Sequence, residues 1–454
     1  MTLKPKVAIV GLGVNNKPLV PFLYNRGMEV IVADKNPPSE LQRALSAMGL
    51  TDVKVLGGQN YLAELSSISD LRALYLTPGM IKTLPEIEQM RRRGTEITCD
   101  TDVFFQQCPA PIIGITGSAG KTTTTTLVSQ ALAAKGEPRV FTGGNIGHSL
   151  WEDWPNITRN GLVVMELSSF QLELTTHSPH GAAVLNLAPN HLDIHGTMEA
   201  YAQAKSNIYR YQKPEDWVVL PHPPSLLQLM TAEIPGRVAY FALHDHAQAG
   251  TFVSGGKVMY RDFSDHVTSC FPVSVIQIPG THNLLNVLAA TVIVGMAQGE
   301  MSAMEHVLSG FLGVSHRLEK VRIHDNILYI NDSIATAPDR TMAALEAIKA
   351  SVVLLAGGYD KQLDYDELGQ VIARSSVHHV VVLGQVQEKL AQAISRYSTI
   401  PVVHADSLEM AVSLARQVAR AGDAVLLSPA AASYDMFRNF EERGERFREI
   451  VEGF

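Results

Sequence analysis

One stretch constrains this 454-residue chain more than any other: "PIIGITGSAGKTTTTTLVSQAL", Pro111 to Leu132. A short apolar run stops at glycines and a Lys-Thr pair, and a helical pattern follows. Glycines let backbone N–H groups turn toward phosphate oxygens at the start of a helix. Lys121 then offers a cation to the β and γ phosphates, and Thr122 a hydroxyl to Mg²⁺. Gly117, Ser118, Ala119, Gly120, Lys121, Thr122 and Thr123 are therefore the candidate ATP-binding loop. The spacing departs from strict GxxxxGK[ST], because Ile115 holds the first glycine's place and Gly114 lies one residue earlier.

A strand feeding such a loop belongs in a parallel sheet covered on both faces, and the rest of the chain agrees. "KVAIVGLG", "EVIVAD", "LVVMELS", "AAVLNLA", "ILYIND", "SVVLLAGG", "HHVVVLG" and "AVLLSP" read as short buried strands alternating with helical segments. Breaks near Asp100–Pro111 and Ser309–Lys320 divide the chain into three α/β domains of mostly parallel sheet. The expected architecture is a Rossmann-like domain over 1–102, a central ATP-binding domain over 103–313 and a second Rossmann-like domain over 314–454. A hydrophobic content of 46% allows each a core.

Charge excludes some partners. A formal charge of -8 gives no basic footprint for nucleic acid. Cys99, Cys108 and Cys270 form no framework, which fits a reducing cytoplasm. "LLNVLAATVIVGMAQ", Leu284 to Gln298, is too short and too polar to span a bilayer and reads as a buried helix.

Other polar residues gather after strands. Glu166 ends one strand, beside Ser168 and Ser169, and is a reasonable Mg²⁺ ligand. His191, Asp193 and His195 share one loop; a third placed ligand for zinc is missing. "GLGVNN" followed by Asp34 suggests a dinucleotide turn, but Asn16 stands where the third glycine belongs, so a nucleotide diphosphate fits better than NAD. In the last domain Asp332, Ser333 and Thr336, then Gly357 to Lys361, then Ser428 and Ser433 all follow strands and should converge on one crevice. Asp332 or Ser333 also suits a helix cap. By helical pattern alone Lys205, in "YAQAKSNIY", is an exposed lysine.

Together these motifs resemble the Mur ligase family, in its glutamate-adding branch. The likeness runs from "VGLGVNNKPLVPFLYNRG" through "TGSAGKTT", "MELSSFQLE", "NHLDIHGTMEAYAQAKSNIY", "GTHNLLN", "HRLE" and "LAGGYDK" to "LLSPAAASYDMFRNFEERGERF". The resemblance implies a monomeric cytoplasmic ligase of peptidoglycan precursor synthesis. It would use ATP to join D-glutamate to UDP-N-acetylmuramoyl-L-alanine through an acyl phosphate, with no nucleic acid or membrane partner.

It also implies roles for residues. Lys121, Lys205 and His191 would be catalytic. Thr122 would bind one Mg²⁺, and Glu166, His191 and a carbamylated Lys205 a second. Asn283, Asn286, Arg317 and Asp332 would contact ATP. Val14, Asn15, Asp34, Lys35 and Asn145 would hold the UDP substrate, and Thr336, Lys361, Ser433 and Phe440 the amino acid. One departure stands out: many members read Asp-Ser-Lys-Ala-Thr-Asn where this chain has Ile334 in place of the lysine. Competing readings are another Mur-type ligase with a different amino acid, such as L-glutamate, and a P-loop nucleotide switch.

Overall fold

The computed structural model describes residues 4–13, 16–146, 149–361 and 363–454. It forms two compact units, Met1–Phe311 and Leu312–Phe454. The first contains two sheets. Strands β1 (Lys6–Val10), β2 (Glu29–Asp34), β3 (Lys54–Gly57), β4 (Leu71–Leu76) and β5 (Glu96–Thr98) pair in parallel in the order β3-β2-β1-β4-β5. The second sheet takes β6 (Ile112–Thr116), β7 (Val140–Gly144), β8 (Leu162–Glu166), β9 (Gly181–Val184), β10 (Trp217–Pro221), β11 (Arg237–Phe241), β12 (Gly250–Ser254), β13 (Lys257–Arg261) and β14 (Val267–Pro272). Its order is β14-β13-β12-β11-β10-β9-β6-β8-β7. β6 lies between β9 and β8 and is buried at every residue, as a run of Ile, Ile, Gly, Ile, Thr requires when both faces are covered.

The far edge departs from the parallel pattern, because β12, β13 and β14 pair antiparallel. Turns at Gly255 and Gly256, both with positive φ, reverse the chain tightly, so no crossover helix is needed there.

The two sheets share one apolar cluster. Phe22 meets Trp151 and Trp154 edge-on at 4.6 and 4.9 Å between ring centroids, and Phe104 meets Trp151 at 5.2 Å. Asp102 adds polar ties to Thr176 N (2.7 Å) and Thr176 Oγ1 (3.0 Å). This common core is the physical reason the first 311 residues form a single compact unit.

The second unit is a six-stranded sheet of β15 (Glu319–His324), β16 (Ile327–Asn331), β17 (Val352–Gly357), β18 (Val377–Leu383), β19 (Val402–Ala405) and β20 (Ala424–Leu427), in the order β15-β16-β20-β17-β18-β19. Only β15 runs antiparallel to its neighbour. Helices capped by Ser407 and Asn439, each accepting the N–H three residues on, cover one face. Among the described residues no helix is long and apolar enough to cross a membrane.

Candidate active site

In the first unit the loop after β6 is held open by its neighbours. Ala119 N donates to Asn186 Oδ1 at 2.9 Å, and Asn186 Nδ2 returns to Ala119 O at 3.0 Å. Ser118 Oγ bonds Ala188 O at 2.9 Å and lies 3.1 Å from Tyr201 Oη. Gly120 precedes the helix Lys121–Ala133 with φ of 82°, and a Cβ there would sit 2.1 Å from Asn286 Oδ1. Only glycine fits that turn and that approach. The start of this helix, with the Lys121 ammonium 3.0 Å from Gly117 O, has the form of a cradle for phosphate. Thr122 is buried at the first turn and Thr123 half-buried beside it.

A cavity of about 590 Å³ adjoins this loop. Leu185, Leu187, Pro221, Phe241 and Leu285 give it apolar walls, with Asn186, Asn286 and His282 at its polar rim. That lining suits a planar base next to a phosphate cradle. Asn283 stays outside it, donating to Pro279 O at 2.7 Å and accepting from Asn286.

Beneath the loop Lys205 is 1% exposed, against the sequence expectation of a solvent-facing lysine. Its helix, Met198–Arg210, is buried on several faces, so helical periodicity held no signal for the lysine's position. Lys205 Nζ bonds Thr116 Oγ1 at 3.2 Å and Gly117 O at 3.1 Å. Burial first, and the Lys121 charge second, hold its ammonium well below the ordinary lysine value. Glu166, 2% exposed at the end of β8, accepts from Asn145 Nδ2 at 3.0 Å through Oε1, while buried Oε2 has no hydrogen-bond partner. An orphaned carboxylate oxygen is a place for a cation. Asn145 thus has its side-chain amide committed to Glu166.

Among the described residues no three His, Cys, Asp or Glu side chains are grouped to hold a metal. Exposed His191, left-handed at φ 55°, packs its ring 5.0 Å from Phe170; His195 stacks on the same ring and lies 2.9 Å from Ser169 Oγ. The oxygen donors that fit Mg²⁺ here are Glu166 Oε2, the Thr122 hydroxyl, and Lys205 only if its amine becomes a carbamate; the His191 imidazole is the nitrogen candidate.

In the amino-terminal sheet Val14 and Asn15 lie outside the described residues. Asp34 spends Oδ2 on Leu12 N (2.8 Å) and Oδ1 on Asn36 N (3.0 Å), with exposed Lys35 between. Asn16 replaces the expected glycine because its side chain is used: fully buried, it bonds Val10 O at 3.1 Å and Gly11 O at 3.0 Å.

The second unit carries its own cluster. Asp332 is 4% exposed; Oδ1 accepts from Leu318 N at 3.1 Å and Oδ2 from Ser428 Oγ at 2.8 Å. Neither Asp332 nor Ser333 caps a helix: the next helix starts at Pro338 with Ala337 as its uncapped N-terminal neighbour. Ser333 Oγ donates instead to Phe440 O at 2.8 Å. The loops after β16, β17 and β20 do meet, since Asp332 N bonds Leu427 O at 2.8 Å and Tyr359 N bonds Ala432 O at 2.8 Å. Around this junction lie half-buried Ile334, Thr336 and Phe440, buried Ser433, and exposed Lys361. Partial burial first, then the charges of Arg340 and Arg443, lower the Lys361 ammonium from its ordinary value. Arg317 is exposed, and its charge, like that of Arg340, acts on Asp332.

Comparison with known proteins gives the family. Residues 5–99 match the Mur ligase MurD-like N-terminal domain, 115–294 the Mur ligase middle domain and 316–431 the Mur ligase, glutamate ligase domain. The chain is 41% identical over 453 residues to a UDP-N-acetylmuramoylalanine--D-glutamate ligase of Symbiobacterium thermophilum, spanning 99% of this chain and 98% of the relative. The chain belongs to the Mur ligase family. A second relative of the same name, from Acetivibrio thermocellus, is 42% identical over 453 residues, 98% of this chain and 96% of its own. Among solved structures, UDP-N-acetylmuramate-alanine ligase MurC from Thermotoga maritima superposes with a TM-score of 0.53 at 19% identity over 99% of both chains, which shows the shared fold. The resemblance read from the motifs, and the three-domain α/β architecture, are borne out.

Within this Mur ligase the motifs passed over several residues that shape the site. Asn186 clamps the phosphate loop, and its only sequence signal is an amide interrupting the apolar run "AAVLNLA". Tyr201 carried no signal beyond its helix. Asp332 gives a testable consequence. Burial raises its carboxyl pKa from 3.8 to about 6, against opposing hydrogen bonds from Ser428 and Leu318. The folded state therefore holds this proton at a pH where the unfolded chain has released it. Its contribution to stability is full below pH 4 and is lost as pH rises through 6, about 3 kcal/mol in all. Urea unfolding of wild type and Asp332→Asn from pH 4 to 7 should show wild type losing stability relative to the variant; parallel curves would contradict the assignment.

Proposed function

We propose that this Mur ligase joins D-glutamate to UDP-N-acetylmuramoyl-L-alanine in the cytoplasm, at the expense of ATP. The observation that carries the reading is the juxtaposition of phosphate loop, buried Lys205 amine and orphaned Glu166 oxygen at one end of the central sheet. The names of the relatives give the substrates.

In this reading an oxygen of the L-alanyl carboxylate attacks the γ phosphorus; an O–P bond forms, the bond to the β-phosphate breaks, and ADP leaves. The amino nitrogen of D-glutamate then attacks the acyl carbon, the C–O bond to phosphate breaks, and phosphate leaves as the nitrogen gives up its proton. Lys121 stabilises charge on the transferring phosphoryl group, and the loop Gly117 to Thr123, with the helix-start amides from Lys121 on, orients it. Mg²⁺ at Thr122, and a second at Glu166, His191 and a carbamylated Lys205, would neutralise phosphate charge. Carbamylation needs an unprotonated amine, which attacks CO₂ and releases a proton; a depressed lysine pKa favours that form. Asn283, Asn286, Arg317 and Asp332 serve ATP, and Val14, Asn15, Asp34, Lys35 and Asn145 the UDP substrate. The apolar cavity beside Gly120 supports adenine binding. Three free cysteines fit the reducing compartment. An acyl phosphate requires that ¹⁸O in the substrate carboxylate appear in released phosphate; label retained wholly in the peptide product and absent from phosphate would exclude it.

Ile334 leaves the amino-acid pocket short of the lysine that many members have. A hydrogen bond to a charged group is worth roughly 1.5 to 3 kcal/mol, or about 10- to 150-fold in binding. Arg340 and Lys361 are the cations we assign as replacements, alongside Thr336, Ser433 and Phe440. Arg340→Ala or Lys361→Ala should raise the glutamate KM within that range at constant ATP KM; two unchanged values would exclude both residues.

A further inference from the structure

Arg443 is the largest fully buried side chain of the described residues, 1% exposed in the helix Phe440–Glu452. A buried guanidinium normally lies against a carboxylate. This one donates to neutral oxygens: Nε to Ser333 Oγ at 2.9 Å, Nη2 to Ser333 O at 2.9 Å, and Nη1 to Ala431 O and Ala432 O at 3.1 and 3.2 Å. Asp435 is the acid that acts on it, yet the two form no ion pair, and Asp435 Oδ2 accepts from Gln385 N at 3.1 Å.

The acceptors belong to two loops, after β16 and after β20. A third closes the set: a Cβ on Gly358, after β17, would lie 2.1 Å from Ala432 O and 3.1 Å from Arg443 Nη1. Those three loops carry Thr336, Lys361 and Ser433. We propose that Arg443 is a positioning residue for the amino-acid substrate, one that ties two of these loops together by its fork of donors, packs against the third at Gly358, and leaves a positive charge beneath a pocket for an anionic side chain. The proposal rests on the glutamate-ligase reading. Lysine cannot reproduce the fork, because its three donors radiate from one nitrogen. The guanidinium charge also reaches the pocket, where it acts on Lys361.

Steady-state kinetics with D-glutamate and with its neutral analogue D-glutamine separate geometry from charge. Arg443→Lys should raise the glutamate KM about tenfold while the ATP KM stays within about twofold. Arg443→Met should in addition lower the preference for glutamate over glutamine about tenfold. Ser333→Ala, which removes the Arg443 Nε contact at Oγ and the Oγ bond to Phe440 O but leaves the other Arg443 donors paired, should raise the glutamate KM by a smaller factor in the same direction, and it decides the matter if the Arg443 variants do not fold. An unchanged glutamate KM in Arg443→Lys and Ser333→Ala, with only a lower melting temperature, would make Arg443 a structural support and overturn the proposal. A wild-type protein that uses no glutamate would overturn the ligase reading itself, and this proposal with it.

Discussion

Lys205→Met is expected to abolish turnover, by about a thousandfold or more, while leaving the protein as stable as wild type or more so. The two halves of that result have separate causes. In the proposed reaction the carbamate on Lys205 is a ligand of Mg²⁺, and removing such a ligand disables the phosphate clamp. The unmodified amine, by contrast, is a liability to the fold, because it is 1% exposed and its charged form is disfavoured by burial. Methionine fills a similar volume without that cost. The sign follows from linkage: with the folded pKa below 10.5, the unfolded state binds more protons in the window between the two values. Wild-type stability should therefore rise with pH across that window relative to Lys205→Met. Melting curves and turnover of both proteins check this, with turnover repeated in CO₂-depleted buffer and after bicarbonate is returned. Full activity in Lys205→Met would remove the carbamate from the account.

The second large effect belongs to Lys121. It sits at the first position of the helix that follows the phosphate loop, with its ammonium 3.0 Å from Gly117 O. A cation that meets charge developing on a transferring phosphoryl group is worth about 10³-fold or more in kcat. Lys121→Met should lose at least that factor in kcat, with a far smaller change in the KM for ATP, since the loop amides and the adjoining apolar cavity still hold the nucleotide. A loss confined to KM would mean that Lys121 only anchors ATP.

What the sequence revealed was what local chemistry encodes. The strand, glycine turn and helix around Gly117 to Thr122 are contiguous, so their order alone predicts β6 and the helix Lys121–Ala133. The C-terminal strands were equally plain, because β17 and β20 are unbroken apolar runs buried at every residue. The antiparallel β12–β14 edge escaped, since half-exposed strands such as "VTSCFP" do not form apolar runs. Lys205 escaped for a tertiary reason: its partners Thr116 and Gly117 are 89 and 88 residues away, and nothing in "YAQAKSNIY" encodes them. Arg443 was hidden for a different reason: it lies on the apolar stripe of Phe440, Phe447 and Val451 in "FEERGERFREIVE", where a charged residue reads as one that reaches out to solvent. The partners of these buried charges are distant in sequence, and the local pattern does not name them.

The measurement that bears most directly on the central claim is phosphate release from ATP with Mg²⁺ and UDP-N-acetylmuramoyl-L-alanine, against a panel of D- and L-amino acids. Release should depend on the UDP substrate and be stimulated by D-glutamate well above L-glutamate and the neutral amino acids. No stimulation by D-glutamate would contradict the claim.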